Sequence, residues 1–74
     1  MAGDDRMVRG FKVGDRVRIN RAVPLRLFRQ IRKLQGTIRG FHRIKSDVAL
    51  VHWDGYSPTN THNHAYHVTF LERV

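Results

Sequence analysis

The chain has 74 residues, with 14 Lys and Arg against 6 Asp and Glu, a formal net charge of +8 and a pI of about 11.4. That size admits one small domain, and the absence of cysteine excludes a disulfide framework and a thiolate zinc site as its staple. A hydrophobic fraction of 41% spread along the chain argues against a wholly disordered polycation, and no apolar run is long enough to cross a bilayer.

Residues 1–10 are polar, carry Asp4, Asp5, Arg6 and Arg9, and show no apolar period. They read as a flexible leader and do not resemble a signal peptide, so a soluble cytoplasmic protein is expected. The folded domain is expected over residues 11–74. Gly14-Asp15 supplies a turn, after which Val17 and Ile19 alternate with Arg16 and Arg18. Period two of this kind predicts a half-buried strand with a basic outer side.

Residues 21–35 admit two readings. Pro24 suits the first turn of a helix, Gly36 suits its C-terminal end, and Leu27, Phe28, Ile31 and Leu34 form an apolar stripe at i, i+1, i+4 and i+7. A short amphipathic helix is one reading; an irregular loop with a helical turn is the other. Gly36 to Phe41 resumes strand character, its two glycines pointing to a bulge or a close backbone approach. Val48 to Trp53 is the most apolar run and the expected central strand. Asp54-Gly55 is a turn, residues 56–63 a polar loop, Ala65 to Val68 a short strand, and Phe70 to Val74 a closing segment. Together these predict an all-β fold, a small barrel of four or five short antiparallel strands with a basic loop or short helix inserted after the first.

The charge has one source. Arg16, Arg18, Arg21, Arg26, Arg29, Arg32, Lys33, Arg39, Arg43 and Lys45 fall within thirty residues that contain no acid. Such a block suits a polyanion, either nucleic acid or the acidic face of a larger complex. Arginine outnumbers lysine eight to two in it, which favours bidentate phosphate contacts. Neutralising five to eight phosphates would give a salt slope of roughly −4.5 to −7 on duplex DNA. Phe41 and Tyr56, beside loops, are the candidates for base stacking, whereas Trp53 at the end of an apolar strand reads as core.

The segments Val13-Gly14-Asp15-Arg16-Val17-Arg18-Ile19, Gly36-Thr37-Ile38, Ala49-Leu50-Val51-His52-Trp53-Asp54-Gly55 and Phe70-Leu71-Glu72-Arg73-Val74 resemble the SH3-like small-barrel superfamily. The resemblance spans about residues 11–74 and implies the barrel. The KOW-like domains among its members imply contact with RNA or the transcription apparatus through basic loops, and residues 21–35 stand where some carry a basic insertion. Type II dihydrofolate reductases are similar in Gly14 to Arg18, Gln35 to Gly40 and Leu71 to Arg73. Their pore-lining Val-Gln-Ile-Tyr segment is replaced by Asn63-His64-Ala65-Tyr66, so the reductase is a remote alternative. Small peripheral subunits of photosynthetic complexes are similar in the Ala49 to Trp53 strand and Pro58-Thr59, and imply a docking role.

His62, His64 and His67, with His42 and His52 earlier, are the one set resembling a metal site, but no cysteine joins them and carboxylates are few. They read as loop and strand histidines, so no metal and no cofactor is expected. No nucleophile constellation or phosphate loop is present. The expectation is therefore a non-enzymatic basic binding module. The alternative is a small protein-docking regulator of the kind phages direct at RNA polymerase, with Leu25, Leu27, Phe28, Ile31 and Leu34 as its contact patch.

Overall fold

Period-two runs must bury one face, and five of them do so here against each other. In a computed structural model that describes residues 7–56 and 65–74, the strands are β1 (Arg16–Ile19), β2 (Gly36–Phe41), β3 (Val48–Trp53), β4 (Ala65–His67) and β5 (Leu71–Arg73). A 3-10 turn, Val68–Phe70, joins the last two. All pairings are antiparallel, in one sheet of order β4-β3-β2-β1-β5. The first four strands form a meander, and β5 returns to pair with β1. Among the described residues β4 and β5 do not pair, so the sheet is barrel-like but not closed.

The inward residues follow the pleat. Val17 and Ile19 of β1, Ala49, Val51 and Trp53 of β3, Tyr66 of β4 and Leu71 of β5 are all buried. In β2 a simple alternation from Ile38 would turn Gly40 inward and Phe41 outward. The register instead shifts between Ile38 and Gly40, leaving Arg39 at a bulge, so that Ile38 and Phe41 are both buried. Gly36 is the close approach anticipated from sequence: a Cβ there would lie 2.8 Å from both Trp53 Cε3 and Val51 Cγ1.

Residues 21–35 form no helix. They run as successive turns, with Val23, Leu27, Ile31 and Leu34 amides donating to the carbonyls of Asn20, Pro24, Phe28 and Ile31. Two features explain why a helical stripe does not make a helix. Phe28 has φ of 55°, a left-handed conformation that a helix cannot contain and that an aromatic residue adopts only where packing holds it. Its ring meets Tyr66 at 5.5 Å and Phe70 at 5.6 Å between centroids, reaching both β4 and the 3-10 turn. The second feature is Arg32, whose guanidinium donates to the carbonyls of Val23, Pro24 (2.9 Å) and Leu27 (3.2 Å). It ties the start of the insertion to its end. Val23 and Ile31 enter the core, and Phe28 and Leu34 pack against it.

The chain before β1 is also tied in. Val8 pairs with Phe11 in an isolated antiparallel bridge and packs on the core, and Arg9 Nε donates to Asp47 Oδ2 at 3.0 Å. Among the described residues no helix is long and apolar enough to cross a membrane.

Candidate nucleic-acid interface

The ten basic side chains of the block fall into three environments, set by how far each can reach an acid or a carbonyl. Arg16 projects from the outer face of β1 and lies beside Thr37 of β2 in register. Its Nη1 donates to Asp54 Oδ1 at 2.9 Å and to Thr37 Oγ1 at 2.8 Å, and its Nη2 donates to Asp54 Oδ2. This bidentate contact holds the Asp54 carboxyl below its ordinary value.

Arg18 and Arg21 share a different acid. The β1–β5 register sets Arg18 opposite Glu72, and Arg18 Nε donates to Glu72 Oε2 at 2.6 Å. The Arg21 amide donates to Glu72 Oε1 at 3.2 Å, and its Nε stands 3.7 Å from the same oxygen. The hydrogen bond from Arg18, followed by that from the Arg21 backbone, lowers the Glu72 pKa. Arg18, Ile19, Arg21, Leu25, Arg32 and Glu72 line a shallow groove of about 390 Å³. Its three guanidinium groups all face partners within the protein: two meet Glu72 and the third the carbonyls of the insertion.

The remaining six stand apart. Arg26, Arg29 and Lys33 on the insertion, Arg39 at the β2 bulge, and Arg43 and Lys45 in the β2–β3 turn are all exposed. None has a side-chain ion pair or hydrogen bond among the described residues. The four described acids are meanwhile all engaged: Asp15 with Arg73, Asp47 with Arg9, Asp54 with Arg16, and Glu72 with Arg18 and Arg21. The block's unpaired positive charge is thus carried on the insertion, the bulge and the turn, and Lys12, ahead of β1, is a further exposed cation without a side-chain partner among the described residues. The structure does not bring all ten basic residues together as one set of free cations.

The β2–β3 turn is built to hold a fixed shape. Its base is closed by the His42 amide donating to Val48 O at 2.9 Å and by Val68 N donating to Asp47 O at 2.8 Å. Inside it, His42 Nδ1 accepts from the amides of Ile44 (3.1 Å) and Lys45 (3.0 Å). Asp47 takes φ of 61°, and its carboxylate is the partner of Arg9. At the tip Ile44 is 89% exposed, between Arg43 and Lys45. Sequence reasoning passed over Ile44, although an isoleucine between two cations in a turn is a visible signal.

The proposed stacking residues are not offered to a ligand. Phe41 is only 5% exposed and belongs to the core, because the bulge turns it inward. Tyr56 is half-buried against the core and its hydroxyl donates to Gln30 O at 3.3 Å. Trp53 is wholly buried, as expected of core. His52 Nε2 lies 2.9 Å from Tyr56 O, and His67 Nδ1 accepts from the Thr69 amide at 3.3 Å to cap the 3-10 turn. His62 and His64, like Pro58 and Thr59, lie outside the described residues. Among the described residues no His, Asp or Glu group forms a metal-holding cluster. The apolar residues of the insertion divide: Ile31 is buried and Phe28 and Leu34 pack against the core, whereas Leu27 is 39% and Leu25 78% exposed.

No protein-family model, curated protein or solved structure matches the chain.

Proposed function

We propose that this protein is a non-enzymatic module of the cytoplasm that binds nucleic acid through phosphate contacts, built on an SH3-like small-barrel skeleton. The observation that carries the reading is the division of charge: every described acid is paired, while Arg26, Arg29, Lys33, Arg39, Arg43 and Lys45 stand exposed and have no side-chain partner among the described residues. Unpaired guanidinium and ammonium groups are free to replace condensed counterions on a phosphate backbone. The skeleton is supported by a four-strand meander completed by β5 returning to β1. The non-enzymatic reading is supported by the groove, whose charged groups already satisfy one another or the insertion's carbonyls.

Duplex is favoured over single strands. All seven aromatic residues lie in the described segments; six are buried or half-buried, and Phe70, 38% exposed, has its ring packed against Phe28 and His67. Single-strand binders depend on exposed rings for base stacking, whereas a duplex asks only for cations along its backbone.

Fluorescence anisotropy with labelled duplex DNA, duplex RNA and single strands, at several salt concentrations, tests the reading. Binding to duplex in the micromolar range or tighter at physiological salt supports it; affinity no greater than that of a generic polycation of equal charge sinks it.

A second reading has its own observation. Leu25 and Ile44 are exposed apolar side chains among the free cations, an arrangement that also suits the acidic face of a protein. A duplex titration without binding, followed by capture of an acidic partner that depends on Leu25, would favour it.

A further inference from the structure

Ile44 is the most exposed large apolar side chain described, and the turn that carries it is held by hydrogen bonds at its base and inside it. Exposing an isoleucine gives up the stabilisation that burial supplies, and a loop of this length accepts a polar residue at its tip without strain. Five contacts fix the loop: two amides capped by His42, the His42–Val48 and Val68–Asp47 backbone bonds that close its base, and the Arg9–Asp47 pair that holds its flank. The result is a preformed apolar projection with a cation on either side.

We propose that Ile44 is a wedge that enters the minor groove of duplex DNA and partly unstacks a base step, with Arg43 and Lys45 on the flanking phosphates. This rests on the nucleic-acid reading and narrows it to a bent duplex. The geometry suits the target. Residues flanking a single position are separated by at most about 7 Å, close to the roughly 6 Å width of the minor groove. Apolar wedges of the Leu, Ile, Met or Phe type open base steps, and cations beside them hold the compressed backbone. Asp47, the one acid in the turn, is neutralised by Arg9 and does not oppose a phosphate. An apolar pocket on a protein would have to take Ile44 while desolvating Arg43 and Lys45, which is costly without matching acids. Pyrimidine–purine steps, the easiest to unstack, are the expected sites.

The test is fluorescence energy transfer across an end-labelled duplex of about 25 base pairs with a central TA step, using the full chain, Ile44→Ala and Ile44→Leu. The wild type is expected to bring the ends together as a bend of about 20–90° does, and Ile44→Leu to retain the effect. Ile44→Ala is expected to bind with an unchanged salt slope and leave the duplex straight; near-native Trp53 emission in each variant certifies the fold. Binding without bending by the wild type, or equal bending by Ile44→Ala, overturns the wedge and leaves phosphate binding standing. Failure of the wild type to bind any duplex overturns the underlying reading as well. A dimer in DNA-free solution that Ile44→Ala dissolves overturns the wedge by assigning the tip to a second copy of the chain.

Discussion

Arg16 and Asp54 face each other through two parallel hydrogen bonds, thirty-eight residues apart in sequence and brought together by the β1–β2–β3 register. The arginine that opens the basic block is thereby committed to the fold. Arg18 is committed to Glu72 through one hydrogen bond from its Nε, while the exposed Arg21 side chain only stands within ion-pair distance of the same carboxylate, at 3.7 Å.

Acid sensitivity follows from these pairs. Both carboxyls are held below their ordinary values of 3.8 and 4.5 by the arginines that donate to them. A carboxyl whose pKa is lower in the folded state contributes stability that is present above its unfolded value and is lost as pH falls through the folded one. Urea midpoints should therefore drop as pH is lowered from about 4.5. The Asp54→Asn, Glu72→Gln double variant should be less stable at pH 7 and show a flatter acid limb. An identical limb in the double variant would remove these pairs from the explanation.

Gly36→Ala tests the core. The added methyl would sit 2.8 Å from Trp53 Cε3 and 2.9 Å from the His52 carbonyl oxygen, and a backbone oxygen in a ladder cannot swing aside. A loss of about 1–3 kcal/mol is expected, toward the upper end, read from urea unfolding followed by Trp53 emission. A change within error would mean that β2 and β3 separate more readily than the packing implies.

Arg32 separates charge from architecture. Its guanidinium donates to three carbonyls of the insertion, a fork that an ammonium group cannot reproduce. Arg32→Lys keeps the net charge, yet should lose on the order of 2 kcal/mol of stability. Its salt dependence of DNA binding should match the wild type. Unchanged stability in Arg32→Lys together with a slope reduced by about 0.9 in Arg32→Gln would return Arg32 to the phosphate-contacting set.

The strands were legible because a buried pleat writes itself as period two: Val17 and Ile19, or Ala49, Val51 and Trp53, leave little choice. Residues 21–35 left a helix and an irregular loop both open, and the structure takes the loop. Leu27, Phe28, Ile31 and Leu34 carry a helical spacing, but a left-handed Phe28 and the carbonyl-capping Arg32 bury most of that stripe from an irregular loop. Tertiary packing overrode local period. The charge block was legible as a count, but which of its members are paired was not. Arg16 and Arg18 find their acids 38 and 54 positions away, separations that only strand register reveals. Phe41 misled for a related reason, since the bulge at Arg39 reverses the face on which it lies.

The most direct test is the salt dependence of duplex DNA binding by single variants. If the six unpaired cations of the basic block are the phosphate contacts, log K should fall with log salt at a slope of about −5, and each of Arg26→Gln, Arg29→Gln, Lys33→Gln, Arg39→Gln, Arg43→Gln and Lys45→Gln should reduce its magnitude by about 0.9. Arg16→Gln and Arg18→Gln should lower stability and leave the slope unchanged. Equal slope reductions in both groups, or none in the first, would contradict the division of the basic residues on which the proposed function stands.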